Sequence, residues 1–225
     1  MGTLGTRLPY WHVNIPEDER TEECPEALRN LSDKDIGIIS TPDSEYHVAT
    51  WPEVQKIVSE NRLERFQRLP SELRKYLVYV SKLKQDHGSV VNYIINERLR
   101  WATPITPEGR PFESDNDTKT LWNDWPYGID KRIVHLVVWT KFDLEEDPAT
   151  DDLTDKARAE IEAYVQKTFS ARMPKDHLVW FKNWRSLKSV QAVEHFHVML
   201  FNPDPAFVDE ITNGDVPASQ KAENK

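Results

Sequence analysis

Ile133-Val134-His135-Leu136-Val137-Val138-Trp139 is the stretch on which the fold turns. It is rich in β-branched and aliphatic side chains and almost continuously apolar, the pattern of a strand covered on both faces rather than one facing water. Such a strand needs layers on either side, and the sequence around it supplies them. Downstream, Thr154 is placed to cap a helix that carries Ala157, Ile161, Tyr164, Val165 and Phe169 on one side. Residues 177–181 and 193–201 then read as two more strands, ended by Pro203 and Pro205.

Upstream, the periodicity changes to that of helices. One helix is expected to start at Thr50-Trp51-Pro52-Glu53, because proline at a first helical position loses no needed N–H and an acidic residue suits the positive end of the helix dipole. Behind Pro70-Ser71-Glu72, the residues Leu73, Tyr76, Leu77, Val80 and Leu83 follow helical spacing up to Gly88. Ser89 can cap a further helix through Val91, Ile94, Ile95 and Leu99. Residues 102–118, with three prolines, read as a long loop and a candidate lid or binding loop. The expectation is one α+β or α/β domain over 50–210, its helical N-terminal half packed on a central sheet formed by the C-terminal half. Residues 1–49 read as an acidic, irregular arm and 211–225 as a disordered tail.

The chain has 225 residues, 38% of them hydrophobic and 30% charged, enough to build a core without covalent staples. Its one cysteine, Cys24, cannot form an internal disulfide. With neither an export signal nor a long apolar run, the expectation is a soluble, cytoplasmic protein with no membrane partner. The net charge of −9 is unevenly spread, with 4 basic and 10 acidic residues in 1–50 but 23 of each sign in 51–202. Within 55–100, 10 basic residues face 5 acidic ones. Arg65, Arg68, Arg74, Lys75, Lys82 and Lys84 can therefore form a local basic face suited to nucleic-acid phosphates, although solvated helix faces have the same composition.

Chemistry is expected where polar groups sit between aromatic ones on rigid strands, at Trp180-Phe181-Lys182-Asn183-Trp184 and Glu194-His195-Phe196-His197-Val198-Met199-Leu200. Strand alternation places His195 and His197 on one face, with Glu194, Phe196 and Val198 on the other. These blocks occur together with Asn123-Asp124-Trp125-Pro126-Tyr127-Gly128, His135-Leu136-Val137-Val138-Trp139, Lys141, Asn61-Arg62-Leu63 and Glu97-Arg98-Leu99-Arg100-Trp101. In that order they resemble the fungal N-acetylglucosamine-induced protein family, over roughly residues 50–210.

The resemblance implies an activity that composition and spacing do not show. Some members are understood to be arginine-containing cyclodipeptide synthases, which take arginyl-tRNA and a second aminoacyl-tRNA and form a cyclo-Arg-Xaa diketopiperazine, without a cofactor. Such aminolysis needs a base for an α-amine and donors for a developing oxyanion, for which His195, His197, Lys182 and Asn183 are candidates. Asp124 and Glu194 are candidates to accept a guanidinium, and Trp125, Tyr127, Trp180 and Trp184 to wall the substrate site or stack bases, with Trp122 a further stacking candidate. Ser186 and Ser189 are candidates for a covalent step or for substrate contact, without the glycine-rich turn of a nucleophile elbow. A rival reading makes His195 and His197, with His135, ligands of a hydrolase or oxygenase metal. Another treats the histidines as satisfied sheet residues in a regulatory protein induced by amino sugar.

Overall fold

The computed structural model describes residues 8–188 and 190–223, and they form a helix–sheet–helix sandwich around one antiparallel sheet. Its strands are β1 (Thr118–Trp122), β2 (Ile133–Thr140), β5 (Leu178–Phe181) and β6 (His195–Phe201), in the order β1-β2-β6-β5. A small ribbon of β3 (Glu146–Asp147) and β4 (Asp152–Leu153) lies outside it. Mixed helix and antiparallel sheet is the expected class in its α+β form. β1 was missed, since Thr118-Lys119-Thr120-Leu121-Trp122 is too polar to resemble β2.

Each face of the sheet meets its own helices. Leu136, Val138, Phe196, Val198 and Leu200 pack against α5 (Asp155–Val165) and α6 (Pro205–Thr212). On the opposite face Ile133, Phe181 and Met199 meet Trp51, Val54 and Ile57 of α2 (Trp51–Ser59). Further along that face Leu121, Val137 and Trp139 meet the helical turns of α4 (Val90–Tyr93), continued as a π-helix over Ile94–Leu99. The central strands are thus covered on both sides, which is why β2 reads as an unbroken apolar run.

The helix boundaries follow local chemistry. Glu53 reaches back to the N–H and hydroxyl of Thr50 at 2.8 and 2.7 Å to start α2. α3 (Pro70–His87) begins with proline and stops at Gly88, whose φ of 76° a side chain would disfavour. Ser89 caps α4 by accepting from Asn92 N, and Thr154 caps α5 by accepting from Ala157 N. Lys119 donates to the carbonyls of Arg98 and Leu99, satisfying acceptors that the end of the π-helix leaves open.

Outside the sheet, the described part of the arm is built of short 3₁₀ turns and one helix, α1 (Asp33–Ile39). Leu28 and Ile39 bury against Leu73 of α3, so apolar anchors hold an otherwise acidic segment. The tail departs from expectation. Residues 213–217 run into α7 (Ala218–Glu223), and Asp215 and the Ala218 N–H are bound to groups deep in the domain. A low apolar content masked a segment held by ionic and capping contacts. Among the described residues no helix is long and apolar enough to cross a membrane.

The turn before β2 depends on a glycine. A Cβ on Gly128 would lie 2.5 Å from the Tyr46 ring, which is fixed by its hydroxyl donating to Gln67 O at 3.0 Å. Gly128→Ala should therefore destabilise the fold by about 1–3 kcal/mol in urea unfolding, and an unchanged midpoint would show that the ring can swing away.

Candidate functional site: an aromatic cavity floored by histidines

Strand register assembles the site. β2 and β6 pair His135 with Met199, Val137 with His197 and Trp139 with His195, so the three histidines share one face, with His135 and His197 as diagonal neighbours on adjacent strands. β5 pairs Phe181 with His197, which brings Asn183 to the same face two residues later. Above this floor stand α3, α4 and the turn through 122–127, enclosing a cavity of about 240 Å³. Tyr76, Tyr79, Leu83, Tyr93, Trp125 and Trp139 are among its lining, with the exposed Lys34 at its mouth.

The histidines differ in how much of their chemistry is already used. His197 is engaged at both nitrogens, Nδ1 with His135 Nε2 at 3.0 Å and Nε2 with the Asn183 amide at 3.1 Å. With Asn183 donating, His197 Nε2 is the acceptor and its Nδ1–H points to His135. Asn183 also donates to the Tyr127 hydroxyl at 3.3 Å, and Asn123 lies 3.3 Å from His135. His195 is held through one nitrogen alone, Nδ1 at 2.9 Å from Val193 O, which assigns the proton to Nδ1. Its Nε2 has no hydrogen-bond partner among the described residues, its ring lines the cavity, and the Trp139 ring lies tilted against it at 4.5 Å between centroids.

Burial keeps all three rings neutral. It pulls His195 down to about 4 and, together with the nearby charge of Arg68, His135 to about 3. His197 is pushed well below its ordinary value, first by burial and then by the neighbouring histidines. The Tyr79 and Tyr93 hydroxyls bond each other at 2.8 Å, and burial raises the pKa of both.

Of the expected site residues, His195, His197, Asn183, Asp124, Trp125 and Tyr127 come together around the cavity. Lys182, Glu194 and Trp180 do not. Alternation turns Lys182 to the other face, where it pairs with Glu146 and, at 3.6 Å, with Glu194, while Lys188 binds Glu194 at 2.8 Å. Trp180 donates to Glu162 of α5 at 2.6 Å on that same side. Trp184 packs beside the α2 cluster, and Ser186 is exposed outside the cavity. Ser189 lies outside the described residues.

Asp124 also differs from its expected role. It lines the cavity, yet Arg98 meets its carboxylate from Nε and from a terminal nitrogen, each at 3.0 Å, and Ala218 N donates to it at 2.8 Å. Arg98 in turn makes a two-pronged pair with Asp215 at 2.5 and 2.7 Å. Burial opposes the charge of this guanidinium, but hydrogen bonds and the charges of the two aspartates outweigh it and raise its pKa. Replacing Arg98 with methionine leaves two buried carboxylates unpaired, so a loss of about 3–5 kcal/mol, roughly 10 °C in a thermal melt, is expected. A melt within a degree or so of wild type would contradict this account.

The expected basic face is divided. Arg65, Lys82 and Lys84 are exposed, whereas Arg68 donates to Trp125 O at 3.0 Å and lies over the Tyr76 ring. Arg74 turns inward to Trp11 O, and Lys75 pairs with Glu72. The loop over 102–118 does not line the cavity, so it is no lid for it. Buried Asp117 pins that loop by accepting from the N–H groups of Glu108 and Gly109, while Leu187 and Val190 supply that edge of the cavity. Tyr79, Tyr93 and Arg98 were not foreseen as site residues, because they lie off the apolar positions that helical spacing picks out. Among the described residues no three His, Cys, Asp or Glu side chains converge as a metal site, and His135 and His197 direct nitrogens at each other.

Comparison with known proteins agrees with this architecture. The chain is 31% identical over 185 residues to N-acetylglucosamine-induced protein 1 of Candida albicans, covering 73% of each chain. It is 28% identical over 159 residues to the uncharacterized protein YPL067C of Saccharomyces cerevisiae, covering 68% of this chain and 79% of the relative. The crystal structure of HTC1 shares the fold, with a TM-score of 0.60, 24% identity and coverage of 75% of this chain and 98% of that one. Residues 50–201, from the capping box of α2 to the last residue of β6, match the family described as "Protein of unknown function (DUF3605)", and the chain belongs to that family.

Proposed function

We propose that the protein is a tRNA-dependent cyclodipeptide synthase of the arginine-containing kind, with the aromatic cavity as an aminoacyl pocket and His195 as its base. The observation that carries this reading is the Nε2 of a neutral His195, without a hydrogen-bond partner among the described residues, on the lining of a cavity smaller than the roughly 300–1,000 Å³ of drug-sized sites. An imidazole lone pair in such a place can take a proton from an amine held beside it.

The steps balance without a cofactor. The α-amine of one aminoacyl-tRNA attacks the ester carbonyl of the other, forming a C–N bond, and His195 Nε2 accepts the proton the nitrogen sheds. Collapse of the tetrahedral intermediate breaks the C–O bond, and the imidazolium returns the proton to the departing tRNA hydroxyl. The free amine of the resulting dipeptidyl ester then attacks the remaining ester, closing the ring and releasing the second tRNA. Exposed Arg65, Lys82 and Lys84 offer charge for tRNA phosphates. His197, held at both nitrogens, acts as a positioning residue for the floor.

Incubation with arginyl-tRNA and each other aminoacyl-tRNA, followed by mass spectrometry, should show cyclo-Arg-Xaa. Its absence under every pairing would reject the activity.

A further inference from the structure

The geometry points to the cavity as the subsite for the partner amino acid rather than for arginine, selecting an uncharged aromatic or branched apolar side chain. This rests on the synthase reading for its role but on the cavity alone for its specificity.

Two independent features carry it. The first is charge. Asp124 is the one carboxylate among the cavity's described lining residues, and Arg98 and the Ala218 N–H already occupy it. Lys34, Arg68 and Arg98 also line the space, and Arg68 has no carboxylate partner among the described residues. A guanidinium placed there would meet like charges and find no uncommitted carboxylate among the described lining residues, at the cost of its hydration. The second is shape. Tyr76, Tyr79, Tyr93, Trp125 and Trp139 offer ring faces and edges suited to an aromatic group, and Leu83 and Ile94 apolar contact. One amino-acid-sized group fills about 240 Å³, so the arginyl ester has to approach from the mouth. The same excess of positive charge disfavours an ammonium, keeping the bound α-amine in its nucleophilic, neutral form beside His195.

Equilibrium dialysis at pH 8 with L-tyrosinamide and L-argininamide compares two probes that differ only in the side chain and cannot react. Tyrosinamide should bind at least roughly tenfold more tightly, about 1.4 kcal/mol. Arg68→Glu, which exchanges a cation for a carboxylate in the lining, should narrow or reverse that ratio. Argininamide binding as tightly as tyrosinamide to the wild-type protein, or neither binding, would overturn the inference. The synthase reading fails separately. A tyrosinamide preference without any diketopiperazine leaves the pocket's specificity standing and removes the catalysis.

Discussion

Replacing His195 with asparagine is expected to slow diketopiperazine formation by about 10²- to 10⁴-fold, the range lost with a general base, while the fold survives. Asparagine is chosen because its amide nitrogen can take the place of Nδ1 and still donate to Val193 O, whereas the group corresponding to Nε2 is gone. The substitution therefore removes the lone pair at the cavity and keeps the contact that holds the residue. His197→Ala makes the informative contrast. It strips a buried partner from both His135 and Asn183, so it should cost stability as well as activity, about 1–3 kcal/mol for each polar group left unsatisfied. A correctly folded His195→Asn protein that turns over at the wild-type rate would show that His195 is not the base.

Stability should fall steeply with acid, beginning near pH 6. The three buried histidines have folded-state pKa values below the unfolded value of 6.5, so the unfolded chain binds more protons as pH drops. Their contribution is fully present above pH 6.5 and is lost as pH falls toward about 4 for His195 and about 3 for His135. Each contributes up to about 1.4 kcal/mol per pH unit in that window, so the set should remove at most about 6 kcal/mol between pH 7 and pH 5. That is comparable to the whole stability of many domains. Urea unfolding at the two pH values measures it, and His195→Asn should shrink the drop by about a third. An unchanged midpoint at pH 5 would mean that the histidines are hydrated or already charged in the fold.

Much of the fold was legible because its signals are short-ranged. Glu53, Ser89 and Thr154 accept from backbone N–H groups within three residues of themselves, and Gly88 ends α3 through its own φ. The candidate site was legible only in part. Alternation alone placed His195 and His197 on a common face, and the same rule, carried one step further along β5, separates Lys182 from Asn183. The resemblance in sequence could not reveal that the Asp124 carboxylate is already bound within the protein, because its partners Arg98 and Ala218 are 26 and 94 residues away.

What the chain's own order of residues determined is the set of elements and the faces their side chains take, since capping, periodicity and pleat are decided within a few bonds of each residue. Tertiary structure alone decided which histidine kept a nitrogen without a partner among the described residues and which carboxylates were paired with a cation. Both depend on strand register and on a C-terminal strap folding back onto Arg98, contacts between distant segments that only the packed molecule brings within hydrogen-bonding range.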